Sequence, residues 1–153
     1  MEEREVIRKV NLALDLFYEK DAHLIEINVH ERSIAHKFAE YLQLLFPGYN
    51  VDCEYDKHGK YTKTLEGISE CRGEDATDRI LPDIIIHNRG VDDENLAAFE
   101  VKSKSGATAC DIKKLELMTA KGGEFRYDFG IFIEFADRRT NCEITLYING
   151  HEA

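Results

Sequence analysis

Two apolar segments joined by a short polar connection constrain the fold of this chain more than any other feature. The segments cover residues 80–88 and 95–102, and Gly90 in the connection can adopt the positive φ that a tight turn needs. The run Ile84-Ile85-Ile86 is apolar on both faces of a strand, as a central, covered strand requires. The pattern predicts a β-hairpin inside a sheet that is covered on both sides.

The rest of the chain supplies helices and further strands. Apolar residues at helical spacing predict three helices, over residues 3–19, 29–46 and 108–120. Asn28 is the predicted N-cap of the second helix, and Pro47-Gly48 ends it. Three further strands are predicted over residues 49–55, 127–135 and 143–148. This order predicts an α/β (α+β) fold in which a mixed central sheet is flanked by helices.

The length of the chain, 153 residues, predicts a single domain over residues 1–153, since it suits one hydrophobic core and is too short for two. Residues 1–28 form a predicted N-terminal helical extension of this domain. Residues 57–79 are polar and contain glycine, and they predict a long loop, of the kind that is functional or mobile.

The cysteines and the N-terminus bear on the cellular compartment. Residues 1–5 are acidic rather than apolar, and no stretch approaches the ~18 apolar residues of a membrane span. The cysteines have no close pair, which predicts scattered buried or half-buried thiols rather than a zinc site or a redox pair. They are Cys53, Cys71, Cys110 and Cys142. The sequence therefore predicts a cytoplasmic protein with no membrane partner.

Charged residues interrupt the apolar strand pair. Side chains alternate between the two faces of a strand, so Glu100 and Lys102 share one face, opposite Phe99 and Val101. Asp83 lies at the start of the neighbouring strand, so the hairpin can bring it to the same end of the sheet as Glu100 and Lys102. An acid and an amine in an apolar strand are costly to bury unless they are paired or bind a metal.

These residues predict a metal site made of oxygen ligands. Two carboxylates held close together repel each other, and a divalent cation relieves that repulsion. Ligation by Asp83, Glu100 and the backbone carbonyl of Val101 suits Mg²⁺ or Mn²⁺ rather than zinc. The alternative is a salt bridge between Lys102 and one carboxylate inside an ordinary hairpin.

The pattern Pro82-Asp83, a gap, and then Glu100-x-Lys102 resembles the PD-(D/E)xK, or restriction-endonuclease-like, nuclease superfamily. Residues 30–33, 51–55 and 82–90 are similar to a group of small bacterial members, and the resemblance covers roughly residues 29–135. It implies an α-β-β-β-α-β core, metal binding by Asp83 and Glu100, and catalytic assistance from Lys102. It implies no particular substrate.

Glu31 is a further candidate for the site. It shares a side of the second predicted helix with Ile34 and Phe38, which is the side expected to face the sheet. In the superfamily that the chain resembles, the first core helix often supplies an acidic residue to the metal site. The alternative is that Glu31 forms a capping box with Asn28.

Several other residues are weaker candidates. Glu54 shares a strand face with Asp52 by alternation, and it is either an accessory site residue or part of a solvated edge. On the third helix, Asp111 and Lys114 fall near the inward side; Lys114 is a candidate phosphate contact or the i,i+3 partner of Asp111. The predicted nucleic-acid contacts in the long loop are Lys57 and Lys60.

The leading hypothesis is a metal-dependent nuclease that hydrolyses phosphodiester bonds, with DNA favoured over RNA, acting alone, as a homodimer or with a partner protein. The net charge of −10 opposes tight binding of phosphates, although a bound cation inverts the local field. The acidic charge instead favours the rival hypothesis, which is a non-catalytic nuclease-fold module for binding or assembly, for example in a defence complex. A hydrolase of small phosphate esters also fits the charge but has no motif of its own.

Overall fold

A mixed six-stranded sheet with helices on both faces forms the fold. The computed structural model describes residues 1–55, 81–91, 93–104 and 106–153, and the backbone alone of residues 57–58 and 61–62. The predicted fold class is confirmed.

The helices are α1 (Glu3–Lys20), α2 (His23–Glu26), α3 (Glu31–Leu45) and α4 (Ala109–Thr119). The strands are β1 (Asn50–Cys53), β2 (Lys57–His58), β3 (Tyr61–Thr62), β4 (Ile84–His87), β5 (Ala97–Ser103), β6 (Phe129–Phe135), β7 (Glu143–Ile148) and β8 (His151–Glu152). The sheet order is β1-β4-β5-β6-β7-β8, and every neighbouring pair is antiparallel except β5 and β6, which are parallel. Strands β2 and β3 form a separate antiparallel pair.

The hydrophobic core lies in two layers, one on each face of the sheet. Helices α1 and α3 pack on the face that carries Ile84, Ile86 and Phe99. Helix α4 packs on the opposite face, which carries Ile85 and Ala98. Because the isoleucines of β4 alternate between the two layers, the prediction of a central strand covered on both faces is confirmed. Helix α1 is part of this core and not only an extension, since its apolar stripe is fully buried.

The start of α3 differs from the prediction. Asn28 does not cap the helix, because its backbone is left-handed, with φ 62°. The helix begins at Glu31, and His30 in the N-cap position makes no side-chain capping bond. Sequence spacing alone placed the helix start too early, because the short helix α2 and a turn take up the residues before it.

The strand ends also differ by a few residues. Strands β1 and β4 are both shorter than predicted, whereas β7 has the predicted bounds. Gly90, in the connection between β4 and β5, adopts the predicted positive φ, at 82°.

Gly130 on β6 sets the close approach of α4 to the sheet. A Cβ atom at Gly130 would lie 3.0 Å from Thr119 Cγ2, 3.2 Å from Tyr147 Cβ and 3.3 Å from Leu115 Cβ. We expect Gly130→Ala to lower the free energy of unfolding by about 1–3 kcal/mol, because added volume in a packed core forces its neighbours apart. Urea unfolding measures this. The control Gly122→Ala, where a Cβ atom would meet nothing within 4 Å, should stay within about 0.5 kcal/mol of the parent. Equal stability of both variants would show that α4 can shift.

None of the helices in the described ranges combines the length and apolar character needed to cross a membrane.

Candidate functional site

Asp83 and Glu100 meet on the face of the sheet that α4 covers. Ile84 pairs with Phe99 in the antiparallel β4–β5 register, so Asp83 stands opposite Glu100, and opposite residues share a face. Each carboxyl group is among the groups that shift the pKa of the other, so the two lie close together. The predicted convergence of these residues is confirmed.

The free edge of β5 orients the carboxylate of Asp83. Strand β5 continues past the end of β4, and the amide of Val101 donates to Asp83 Oδ2 at 2.9 Å. In an extended strand the carbonyl of a residue points to the same edge as its amide, so the Val101 carbonyl faces the edge that Asp83 occupies.

Glu31 reaches the same edge from the opposite layer. Its Oε2 accepts a hydrogen bond from the Ser103 amide at 2.8 Å. The amides of Val101 and Ser103 lie about 6.6 Å apart along the strand, so the Glu31 and Asp83 carboxylates occupy successive positions on the edge. The predicted orientation toward the sheet is confirmed. The capping-box alternative is wrong, because Glu31 is the first residue of α3 and its carboxylate bonds to β5.

Helix α4 places a lysine on Glu100. Lys114 Nζ donates to Glu100 Oε1 at 2.7 Å, and the exposed fractions of these residues are only 8% and 3%. This contact matches neither predicted role of Lys114. Its amine contacts Glu100, rather than facing solvent for a phosphate or pairing with Asp111.

Lys102 and Asp111 form the outer part of the site. Lys102 Nζ lies 3.8 Å from Asp111 Oδ2, and the Lys102 side chain is 26% exposed. Asp111 Oδ2 also accepts hydrogen bonds from the amide and the hydroxyl of Thr108, both at 2.8 Å, and closes a capping box at the start of α4. Asp111 is therefore held by the helix start, whereas Lys102 keeps access to solvent.

Glu54 does not follow the predicted alternation. Strand β1 ends at Cys53, and Glu54 adopts a left-handed backbone with φ 48°. Its amide donates to the Asp83 carbonyl at 3.1 Å, and its carboxylate pairs with Arg32 on α3 at 2.7 Å. Glu54 thus adjoins Asp83 through the backbone while its charge is taken up by Arg32.

The predicted basic contacts in the long loop cannot be placed in the site. Lys57 begins β2, of which the structure describes the backbone alone, and Lys60 lies outside the described residues.

Burial governs the charge state of the carboxyl pair. It raises the pKa of Asp83, although the hydrogen bond from the Val101 amide lowers that pKa in part. Burial, and then repulsion from Asp83, raise the pKa of Glu100 to about 8. The nearby Lys114 ammonium opposes this rise. Buried carboxyl groups whose charged forms are disfavoured in this way gain most from a cation.

The raised pKa of Glu100 predicts a pH-dependent stability of the metal-free protein. The folded chain holds this proton up to about pH 8, whereas the ordinary pKa is 4.5, so the folded state binds more protons in that window. The free energy of unfolding should therefore fall as the pH rises from 4.5 to 8, and this group should add no further slope above that window. Glu100→Gln removes the titrating group and should flatten the profile. Urea unfolding across this range measures the effect, and parallel profiles for parent and variant would contradict it.

The oxygen atoms at this edge fit Mg²⁺ or Mn²⁺. Mg²⁺ is commonly bound by one or two carboxylates with several waters, and the neighbouring Asp83 and Glu100 carboxyl groups with the Val101 carbonyl would provide such a set. Across the described part of the chain, no group of three or more His, Cys, Asp or Glu side chains could hold a metal ion.

Glu134 is a neighbour of the site that the sequence did not indicate. The parallel register of β5 and β6 pairs Glu134 with Lys102, on the face that also carries Glu100. Only the pairing of two strands separated by α4 reveals this, and no local spacing in the sequence predicts it.

The cysteines correct one expectation. Cys53 and Cys142 are free thiols, but Cys110 at the start of α4 is disulfide-bonded, and Cys71 lies outside the described residues. The prediction of four scattered thiols is therefore wrong at Cys110.

Comparison of the chain with protein-family models, curated proteins and solved structures gave no match.

Proposed function

We propose that this protein is a metal-dependent nuclease of the PD-(D/E)xK type, with Asp83, Glu100 and Lys102 at its centre. The observation that carries the proposal is the pairing of the half-buried Asp83 with the buried Glu100 on one face of the sheet. It lies where β5 runs past β4, and the solvent-accessible Lys102 shares the face of Glu100. The order α3-β1-β4-β5-α4-β6, with the small β2–β3 pair inserted, supports it because the resemblance implies an α-β-β-β-α-β core.

Each group in this proposal has a separate task. Asp83, Glu100 and the Val101 carbonyl would hold the cation, and the Val101 amide keeps Asp83 in place. A bound divalent cation would supply Lewis-acid polarisation of the phosphodiester. Lys102 would donate to the attacking water or to the negative charge that develops on the phosphate. Glu31 would order the end of β5 through the Ser103 amide.

The experiment that tests this proposal is a degradation assay on single- and double-stranded DNA and RNA, with Mg²⁺ or Mn²⁺ and with EDTA. We expect metal-dependent cleavage, with DNA preferred, and we expect Lys102→Ala to lose turnover while it keeps metal affinity. Lys113→Ala is the matched control, because Lys113 is an exposed neighbour on α4. Cleavage that Lys102→Ala leaves unchanged would exclude the assigned role of Lys102.

A specific observation favours the second candidate function, a non-catalytic module for binding or assembly. Glu100 is already paired with Lys114, and Asp111 with Lys102, so two of the three acids have an amine partner without a metal. The net charge of −10 also disfavours approach of a nucleic acid. Binding of metal without cleavage of any of the four nucleic-acid forms would favour this candidate.

A further inference from the structure

Lys114 occupies an unusual position for a lysine. Among the described residues it is the one buried lysine, and its Nζ lies 2.7 Å from Glu100 Oε1. Burial of an ammonium group is costly unless a partner compensates it, and the Glu100 carboxyl oxygen that accepts its hydrogen bond is that partner. Helix α4 holds the amine there, because Leu115 and Met118 fix the helix on the sheet.

The surrounding charges show why Lys114 matters to a cation. The electrostatic cluster around Glu100 contains three acids, Asp83, Glu100 and Asp111, and two amines, Lys102 and Lys114. Lys102 lies nearest to Asp111, at 3.8 Å, whereas Lys114 donates directly to the carboxylate that the proposed metal site needs. The two lysines therefore act on different parts of the cluster.

We propose that Lys114 is the internal counter-ion of Glu100, which stabilises the metal-free site and competes with a divalent cation for that carboxylate. The inference rests on the metal site of the proposed function and assigns to Lys114 the control of metal affinity. Lys114 is then a positioning residue: removing its charge should tighten metal binding while it destabilises the metal-free fold.

The test is a Mn²⁺ titration, by calorimetry and by electron paramagnetic resonance, of the parent, Lys114→Met, Lys114→Gln and the exposed control Lys113→Met. We expect both Lys114 variants to bind Mn²⁺ about tenfold more tightly or better, since an ion pair at this distance in a partly buried site is worth more than a tenfold change. We expect their metal-free melting temperatures to fall below that of the parent. We also expect Mn²⁺ to raise their melting temperatures by more than it raises that of the parent. Lys113→Met should match the parent in both measurements.

Mn²⁺ binding that is unchanged or weaker in both Lys114 variants would overturn the inference. If these variants do not fold without metal, Mn²⁺ should restore their far-ultraviolet circular dichroism, because it replaces the missing positive charge. Failure to restore the fold would also overturn it. A parent that binds Mn²⁺ and cleaves no nucleic acid would remove the nuclease proposal but leave the inference standing, whereas a parent that binds no Mn²⁺ would remove both.

Discussion

Replacement of Glu100 by glutamine is expected to lower metal-dependent cleavage by about 10³-fold or more, because metal catalysis supplies several kcal/mol and each 1.4 kcal/mol is tenfold in rate. Glutamine keeps the size of the side chain but removes the negative charge that would hold the cation. Metal affinity and turnover should therefore fall together. Single-turnover cleavage beside calorimetric titration with Mn²⁺ measures the two effects.

The matched control for this prediction is Glu152→Gln, which makes the same chemical change at an exposed position on β8, at the far edge of the sheet. It should cleave as the parent does. If Glu100→Gln also cleaves as the parent does, the activity belongs to another site or to a contaminant.

The second large effect is on stability. Phe135→Ala is expected to lower the free energy of unfolding by about 3–5 kcal/mol, because it deletes a buried ring and leaves a cavity. The ring of Phe135 is fully buried, with centroids 5.1 Å from that of Phe17 and 5.6 Å from that of Phe38. This residue therefore joins α1 and α3 to the end of β6, and its loss is a large part of the 5–15 kcal/mol that is typical of a domain.

Urea unfolding of Phe135→Ala beside Leu44→Ala tests this prediction. Leu44 lies on α3 with 70% of its surface exposed, so its truncation removes an apolar side chain without opening a cavity. We expect a change within about 0.5 kcal/mol for Leu44→Ala. Similar losses in the two variants would show that the aromatic cluster around Phe135 does not carry the core.

Much of the fold and the central pair of the site were predictable, because they depend on short-range regularities. The period of two in a strand puts Glu100 and Lys102 on one face, and a short connection makes β4 and β5 neighbours. Asp83, at the start of β4, can then lie at the same end of the sheet as Glu100, whereas only the structure gives the register that places the two opposite each other. The helical period likewise indicated that Asp111 and Lys114 face inward on α4.

The partners of these residues could not be predicted in the same way. The sequence by itself determined which side chains share a face, since that follows from the repeat of each element. Only the tertiary structure decided that Lys114 bonds to Glu100, that Glu31 bonds to the Ser103 amide and that Glu134 lies beside Lys102. These contacts depend on where α3 and α4 pack on the sheet and on the parallel register of β5 and β6. Close packing between distant segments sets the helix positions and this register, and no local spacing along the chain encodes that packing.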